Sequence, residues 1–342
     1  MRKALLAIIL AAAACPAQAD PVADFYRGKS ITMLVASGVG GGYDTYARVF
    51  ARYATKHIPG APTIIAKNMP AAGGLAAAST LFNNADKDGL TMAALSNVVT
   101  LDPLFGNPGA RFDALKMGWL GSIGKLQNVC ATWHTSPVKT IEDARKREVI
   151  TAGAGASSNT AVVPRMVNEL LGTRFKVIAG YDPAGGLTMA VESGEAEGIC
   201  GLSWSTIKAS RPDWIAGRKL NVILQMSMTR LPDLPDVPSA LDLITDPQRK
   251  QVLELVLIRQ ETGRPFATPP GTPPDRFAAL RRAFDATMKD PDFLADAERN
   301  QMEIEPLTGA EIDALLAKAY GSPRNIVAEA AALVDPPGAK KP

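Results

Sequence analysis

Four times along this chain an apolar, strand-like run ends in a glycine-containing loop that opens directly into a helix-like run, and few architectures accept that pattern. The first unit carries Ile31, Met33, Leu34 and Val35, then Ser37-Gly38-Val39-Gly40-Gly41-Gly42, then Tyr43-Asp44 and a helix that continues through Arg48. The second runs from Thr63 to Lys67, through Asn68-Met69-Pro70-Ala71-Ala72-Gly73-Gly74, into a small-residue helix from Leu75 to about Phe82. The third joins a strand at Val149 to Ala152, by way of Gly153-Ala154-Gly155-Ala156-Ser157-Ser158-Asn159-Thr160, to a helix from Ala161 to Leu171. The fourth joins Phe175 to Ile178, by way of Gly180-Tyr181-Asp182-Pro183-Ala184-Gly185-Gly186, to a helix that stops at Ser193-Gly194. Strands alternating with helices imply parallel α/β layers, and every such loop then falls on the carboxyl edge of its sheet, where these folds bind ligands.

The loops favour an anion. Glycines leave backbone N–H groups uncovered, and a helix start directs its unpaired N–H groups and positive end at the same point. Ser157, Ser158 and Thr160 are ordinary helix-capping residues that can also offer a ligand hydroxyls. Asp44 and Asp182 have plain roles as helix cap and turn former. Tyr43, Tyr181 and Trp204 lie in or beside the edge loops and face either the core or a cleft, whereas Trp119 and Trp133 are assigned to packing.

Several chemistries fail on spacing. Gly28-Lys29-Ser30 ends like a phosphate loop, but Ala23 stands where the first glycine is required and the tripeptide precedes its strand. Gly38-x-Gly40-x-x-Tyr43 lacks the third glycine of a dinucleotide fingerprint, and the next strand ends in Lys67-Asn68 without a ribose-binding acid. No Gly-x-Ser-x-Gly elbow occurs, and His57 and His134 supply neither a base for Ser157 or Ser203 nor metal-ligand spacing. No cofactor, metal or catalytic set is therefore expected.

Arg2 and Lys3, the apolar run Ala4 to Ala14 and Ala17-Gln18-Ala19 read as an export leader cleaved near Ala19. Cys15, preceded by alanines and followed by Pro16, is a poorer lipidation site than that cleavage site. With Arg2 and Lys3 set aside, 35 basic side chains face 34 acidic ones, which argues against nucleic acid as a partner. In an oxidising space Cys130 and Cys200 form one candidate disulfide, the alternative being two buried free thiols.

The remaining length calls for two lobes. The first is expected over 24–127 plus 228–333 and the second over 128–227, with a disordered tail at 334–342. The second lobe includes a capped helix at Thr140-Ile141-Glu142-Asp143, and the proline-marked segment Leu231 to Pro238 leads back to the first. Helices are expected at Pro247 to about Ile258, Pro274 to Met288, Pro291 to Asn300 and Gly309 to Ala319.

The order of these features resembles the periplasmic solute receptors of tripartite tricarboxylate transporters, the Bug family. The residues that carry the resemblance are the leader, the Gly-Gly-Gly-Tyr-Asp helix start, Asn68-Met-Pro-Ala-Ala-Gly-Gly, the Lys87-Asp88-Gly89 turn, Ser136 to Asp143 and Gly153-Ala-Gly-Ala-Ser-Ser. They span essentially the whole chain after the leader. The resemblance implies an α/β, two-lobed periplasmic-binding-protein (Venus-flytrap) fold with parallel-type sheets flanked by helices. It also implies a monomer that closes on a small organic carboxylate and delivers it to large and small membrane subunits. Carried across, the first-lobe contacts fall on Gly40, Gly41, Gly42, Tyr43 and Asp44, on Ala71, Ala72, Gly73 and Gly74, and on Ser96 or Asn97. The second-lobe contacts fall on Ser157, Ser158, Asn159 and Thr160 and on Tyr181, Asp182 and Ala184, with Trp204 added from its own position beside Ser203. Departures from the family pattern in two places, the first loop with Ser37-Gly38-Val39-Gly40 and Tyr43 and the second-lobe helix start with Asn159 and Pro164, prevent transfer of the solute's identity. A sensory accessory protein for a membrane kinase and an exported enzyme are the competing readings.

Overall fold

The computed structural model describes residues 20–155, 158–182 and 185–335. The leader, Ser157, Ala184 and most of the expected tail lie outside the described residues. Strands are β1 (Ser30–Val35), β2 (Thr63–Asn68), β3 (Thr91–Ala94), β4 (Gly118–Ser122), β5 (Asn128–Trp133), β6 (Val149–Gly153), β7 (Phe175–Ala179), β8 (Gly198–Ser203), β9 (Leu220–Met226), β10 (Pro265–Thr268) and β11 (Leu307–Thr308). They form two sheets, ordered β11-β4-β10-β3-β1-β2 and β7-β6-β8-β5-β9.

Parallel pairing holds where the strand–loop–helix units are: β2, β1 and β3 run together, as do β7, β6 and β8. Both sheets are nonetheless mixed, because β10 is antiparallel to β3 and β4, and β5 is antiparallel to β8 and β9. The reason is topological. A chain that crosses between sheets at their carboxyl edges enters the new sheet at that edge and must run against its parallel strands. Thus β4 ends at Ser122, the 123–127 crossover follows, and β5 begins at Asn128, which pairs with Ser203 at the end of β8. The return is alike: the Leu95 amide bonds the Pro265 carbonyl, so β10 starts beside the end of β3. The carboxyl edges of the two sheets are therefore joined by the shortest path the chain takes between them.

Helix boundaries follow local chemistry. Pro247–Glu261, Pro274–Thr287 and Pro291–Arg299 each begin with proline at the first helical position, where its missing N–H costs nothing. Ile141–Lys146 and Gly309–Tyr320 begin with complete capping boxes, Thr140 with Asp143 and Thr308 with Glu311. A further helix, Arg324–Val334, was not expected; it has no side-chain cap and packs on Pro247–Glu261 and on Asn159–Leu171. Behind β1 the first sheet is closed by Phe50, Phe266 and Phe284, with ring centroids 4.6 to 5.6 Å apart, which fixes the Gly42–Ala54 helix against the strands.

Cys130 and Cys200, both fully buried, face each other directly across β5 and β8 and are joined as a disulfide. Protein beginning at Asp20, unfolded without reductant, should show no thiol on titration; two free thiols would refute the bond.

Candidate functional site

Three loops converge at the carboxyl edge of the first sheet. The Ala36 amide bonds the Ala94 carbonyl and the Met69 amide bonds the Val35 carbonyl, so the ends of β1, β2 and β3 are laced together just where their loops begin. Gly74, at φ +93°, sits where an added Cβ would lie 2.8 Å from the Ala36 Cβ and 3.1 Å from that of Ser96. Only glycine lets these loops approach so closely. Ala72 is also left-handed, at φ 53°, a conformation unfavourable for a residue with a Cβ.

Asp44 organises the first loop. Its buried carboxylate accepts from the Gly40 amide at 2.9 Å, from Arg48 Nε at 2.9 Å and from Asn68 Nδ2 at 2.8 Å, and Asn68 Nδ2 also reaches the Ser37 carbonyl. Burial opposes ionisation, but Arg48, Asn68 and the Gly40 amide outweigh it and hold the carboxyl below its ordinary value. The carboxylate is thus spent on the protein itself. So are two of the glycine amides, Gly40 on Asp44 and Gly41 on the Gly38 carbonyl. What the loop leaves open is the first turn of the Gly42–Ala54 helix. Its N-cap, Gly41, offers no side chain, and the Gly42 and Tyr43 amides have no acceptor among the described residues.

Tyr43 is folded back along the same edge. Its hydroxyl donates to Asn97 Oδ1 and accepts from the Asn97 amide, both at 3.2 Å, and burial pushes the phenol up. The ring is half-buried, so the tyrosine forms a wall tied to the Ser96–Asn97 turn.

The second sheet repeats this construction in other residues. Thr160 Oγ1 accepts from the Ala154 amide at 3.0 Å, and the Ser158 hydroxyl donates to the Gly155 carbonyl at 2.7 Å. These hydroxyls shape the loop, and the Asn159 and Thr160 amides at the start of the Asn159–Leu171 helix find no acceptor among the described residues. Gly201, at φ +92°, lets β8 pass under that helix start, since an added Cβ would meet the Asn159 carbonyl at 2.2 Å. Gly180 and Tyr181 amides bond the Gly153 carbonyl, which brings the β7 loop alongside the β6 loop. Asn128 Oδ1 and Ser227 Oγ, at the points where the chain enters and has just left this sheet, are buried without a partner among the described residues.

Two further aromatics pack on the second sheet. Trp204 is buried, and its indole N–H donates to Asp233 at 3.0 Å. Tyr181 packs against the core of the second sheet, and Glu195 beside its hydroxyl raises the phenol's pKa. Asp182 accepts from the Gly186 amide through its backbone carbonyl, as a turn former does.

Arg264 is a residue that the sequence reading does not single out. It is 4% exposed and lies at the carboxyl edge, just before Pro265. Its amide bonds the Gly124 carbonyl and Ser122 Oγ, its guanidinium stacks 3.9 Å from the Tyr46 ring centre, and one nitrogen donates to the Lys125 carbonyl at 3.1 Å. A Thr-Gly-Arg-Pro sequence gives little warning of such a position. An arginine immediately before a proline in a short apolar strand was the available signal.

No family model matches the chain. Among curated proteins it is similar to a UPF0065 protein of Bordetella bronchiseptica, 24% identical over 299 residues that cover 85% of this chain and 81% of that one. Among solved structures it superposes on a TctC solute binding protein from Polaromonas (TM-score 0.68, 20% identity, 90% of this chain and 99% of that one). It also superposes on the periplasmic binding protein BugD (TM-score 0.64, 19% identity, 90% and 97%). Two further structures share the fold with ligands bound: Rpa4515 of R. palustris with adipate (TM-score 0.64, 17% identity, 89% and 97%) and MatC of Rhodopseudomonas palustris with malate (0.62, 18%, 88% and 99%). Over nine-tenths of its length, 90% in both superpositions, this chain has the fold of the TctC and BugD periplasmic binding proteins.

Proposed function

We propose that this chain is a periplasmic solute receptor that captures a small organic carboxylate between two lobes and delivers it to the membrane subunits of a tripartite tricarboxylate-type transporter. The observation that carries the reading is the pair of open helix starts, Gly42–Tyr43 and Asn159–Thr160, on sheet edges joined by the 123–127 crossover. Each offers amides and a positive helix end to an anion. The adipate and malate bound by proteins of the same fold agree with that chemistry.

In this proposal the lobes are 24–127 with 228–333 and 128–227, and the solute stabilises the closed form by the contacts it makes to both. The polypeptide acts as a monomer outside the inner membrane, its leader removed near Ala19, and returns its solute chemically unchanged. No helix among the described residues is long and apolar enough to cross a membrane.

A thermal-shift screen of mono-, di- and tricarboxylates, aromatic acids included, should give at least one concentration-dependent rise in melting temperature, about 2.7 kcal/mol of stabilisation at a hundred times Kd. The ligand recovered afterwards should be intact. A flat response across all carboxylates, or a converted acid, would overturn the proposal.

A further inference from the structure

Amides alone are not the whole of the site, because the first sheet's edge also holds a buried cation with no counter-ion. Arg264 makes no ion pair with any described residue. Three acids on neighbouring segments are paired with other cations: Glu261 with Lys125 at 3.0 Å, Glu303 with Lys208, and Asp44 with Arg48 at 2.9 Å. One guanidinium nitrogen donates to the Lys125 carbonyl, and the remaining N–H groups have no acceptor among the described residues. Taking an unpaired charge out of water is costly unless something compensates it, and stacking on Tyr46 compensates only in part.

The position of this cation is equally specific. Arg264 follows the 260–263 segment, whose Gln260 holds the 124–128 crossover: the Leu126 amide bonds the Gln260 carbonyl and the Asn128 amide bonds Gln260 Oε1, while Gly263 packs so closely that an added Cβ would meet the Gly124 carbonyl at 2.6 Å. Its side chain lies on the Gly42–Ala54 helix through Tyr46, one turn beyond Tyr43, and its charge is felt at the Tyr43 phenol. It thus stands at the hinge end of the edge that carries the open Gly42 and Tyr43 amides.

We propose that Arg264 is a solute-binding residue whose guanidinium pairs with a carboxylate of the bound solute, so that the site selects a solute with two carboxylates: one on the Gly42–Tyr43 amides, the second on Arg264. This rests on the carboxylate-receptor reading and deepens it. A planar fork with unused N–H groups matches a carboxylate in a two-pronged contact, and a charge-assisted contact of that kind is stronger than a neutral one. The solute would complete the neutralisation that the protein leaves undone.

The test uses linear α,ω-dicarboxylates of four to eight carbons and the half-amide of each, titrated calorimetrically against the wild-type chain and against Arg264→Gln. The best diacid should bind wild type at least about 10-fold more tightly than its own half-amide, and Arg264→Gln should lose at least about 10-fold for the diacid while the half-amide changes little. Equal affinity of diacid and half-amide for wild type overturns the proposal without any variant, so a misfolded Arg264→Gln leaves it falsifiable. Equal diacid affinity in wild type and a folded Arg264→Gln overturns it too. If wild type binds no carboxylate of any class in the broader screen, the receptor reading itself has failed; if it binds carboxylates with no discrimination, only the assignment of Arg264 has.

Discussion

Asp44→Ala should cripple solute capture, raising Kd by about 100-fold or more, through the loop that its carboxylate organises. The carboxylate is the only acceptor among the described residues for the Gly40 amide and the common partner of Arg48 and Asn68, and Asn68 in turn holds the Ser37 carbonyl. Alanine removes the charged acceptor that these donors share, for a stability loss of about 1–2 kcal/mol, and frees the 37–41 loop to move. The open Gly42 and Tyr43 amides then lose their fixed direction, and preorganised amides are worth binding energy only while they are fixed. Calorimetric titration with the best ligand from the screen measures the first effect and urea unfolding the second. Unchanged affinity in a folded variant would show that this loop is not part of the site.

The same residue sets a pH dependence whose sign can be worked out. Its folded pKa lies below the ordinary 3.8, so the unfolded chain takes up the proton first as pH falls. The stabilisation from ionised Asp44 is therefore complete above about pH 5 and declines as pH drops through the unfolded and then the folded value. In urea unfolding the gap between wild type and Asp44→Ala should be constant at neutral pH and narrow below pH ~4.

How much of this could be read beforehand differs from element to element. The loop–helix junctions were legible because glycine runs, proline at helix starts and capping boxes act over a few residues; Pro247, Pro274, Pro291 and Gly309 all begin helices as their local chemistry requires. The antiparallel entries of β5 and β10 were not, since direction within a sheet depends on where the chain crosses, a property of the whole path. The same limit applies at the site. Local sequence marked Gly40 and Gly41 as open donors, but the contacts that close them come partly from Asp44 through a fold-dependent network with Asn68. Trp204 stands beside an edge loop, yet Asp233, from a segment 29 residues away, claims its indole. Arg264 reaches the edge only because β10 returns there.

The largest loss of stability from a single substitution is expected from Asp102→Ala, at about 3–5 kcal/mol. Asp102 and Arg259 form a buried ion pair between the turn after β3 and the helix Pro247–Glu261. Asn107 Nδ2 donates to the other carboxylate oxygen at 2.7 Å, and the guanidinium lies 4.7 Å from the Phe105 ring centre. Burial pushes the Asp102 carboxyl up and the Arg259 guanidinium down, so each ion stays charged chiefly because of the other. Removing the carboxylate strands a buried cation whose Nε already lacks a partner among the described residues. That helix is also the return path between the two sheets: it ends in Gln260 and Glu261, which grip the 124–128 crossover, and leads directly to Arg264. Replacing both partners by apolar residues, Asp102→Leu with Arg259→Met, should recover most of the loss, because no stranded charge remains. Urea unfolding of the single and double variants decides it: a double variant no more stable than Asp102→Ala would mean that the pair acts through its packing and not through its charges. If the double variant recovers stability but binds solute more weakly, the ion pair fixes the position of the hinge segment that carries Arg264, a specificity that apolar packing at the same place does not supply.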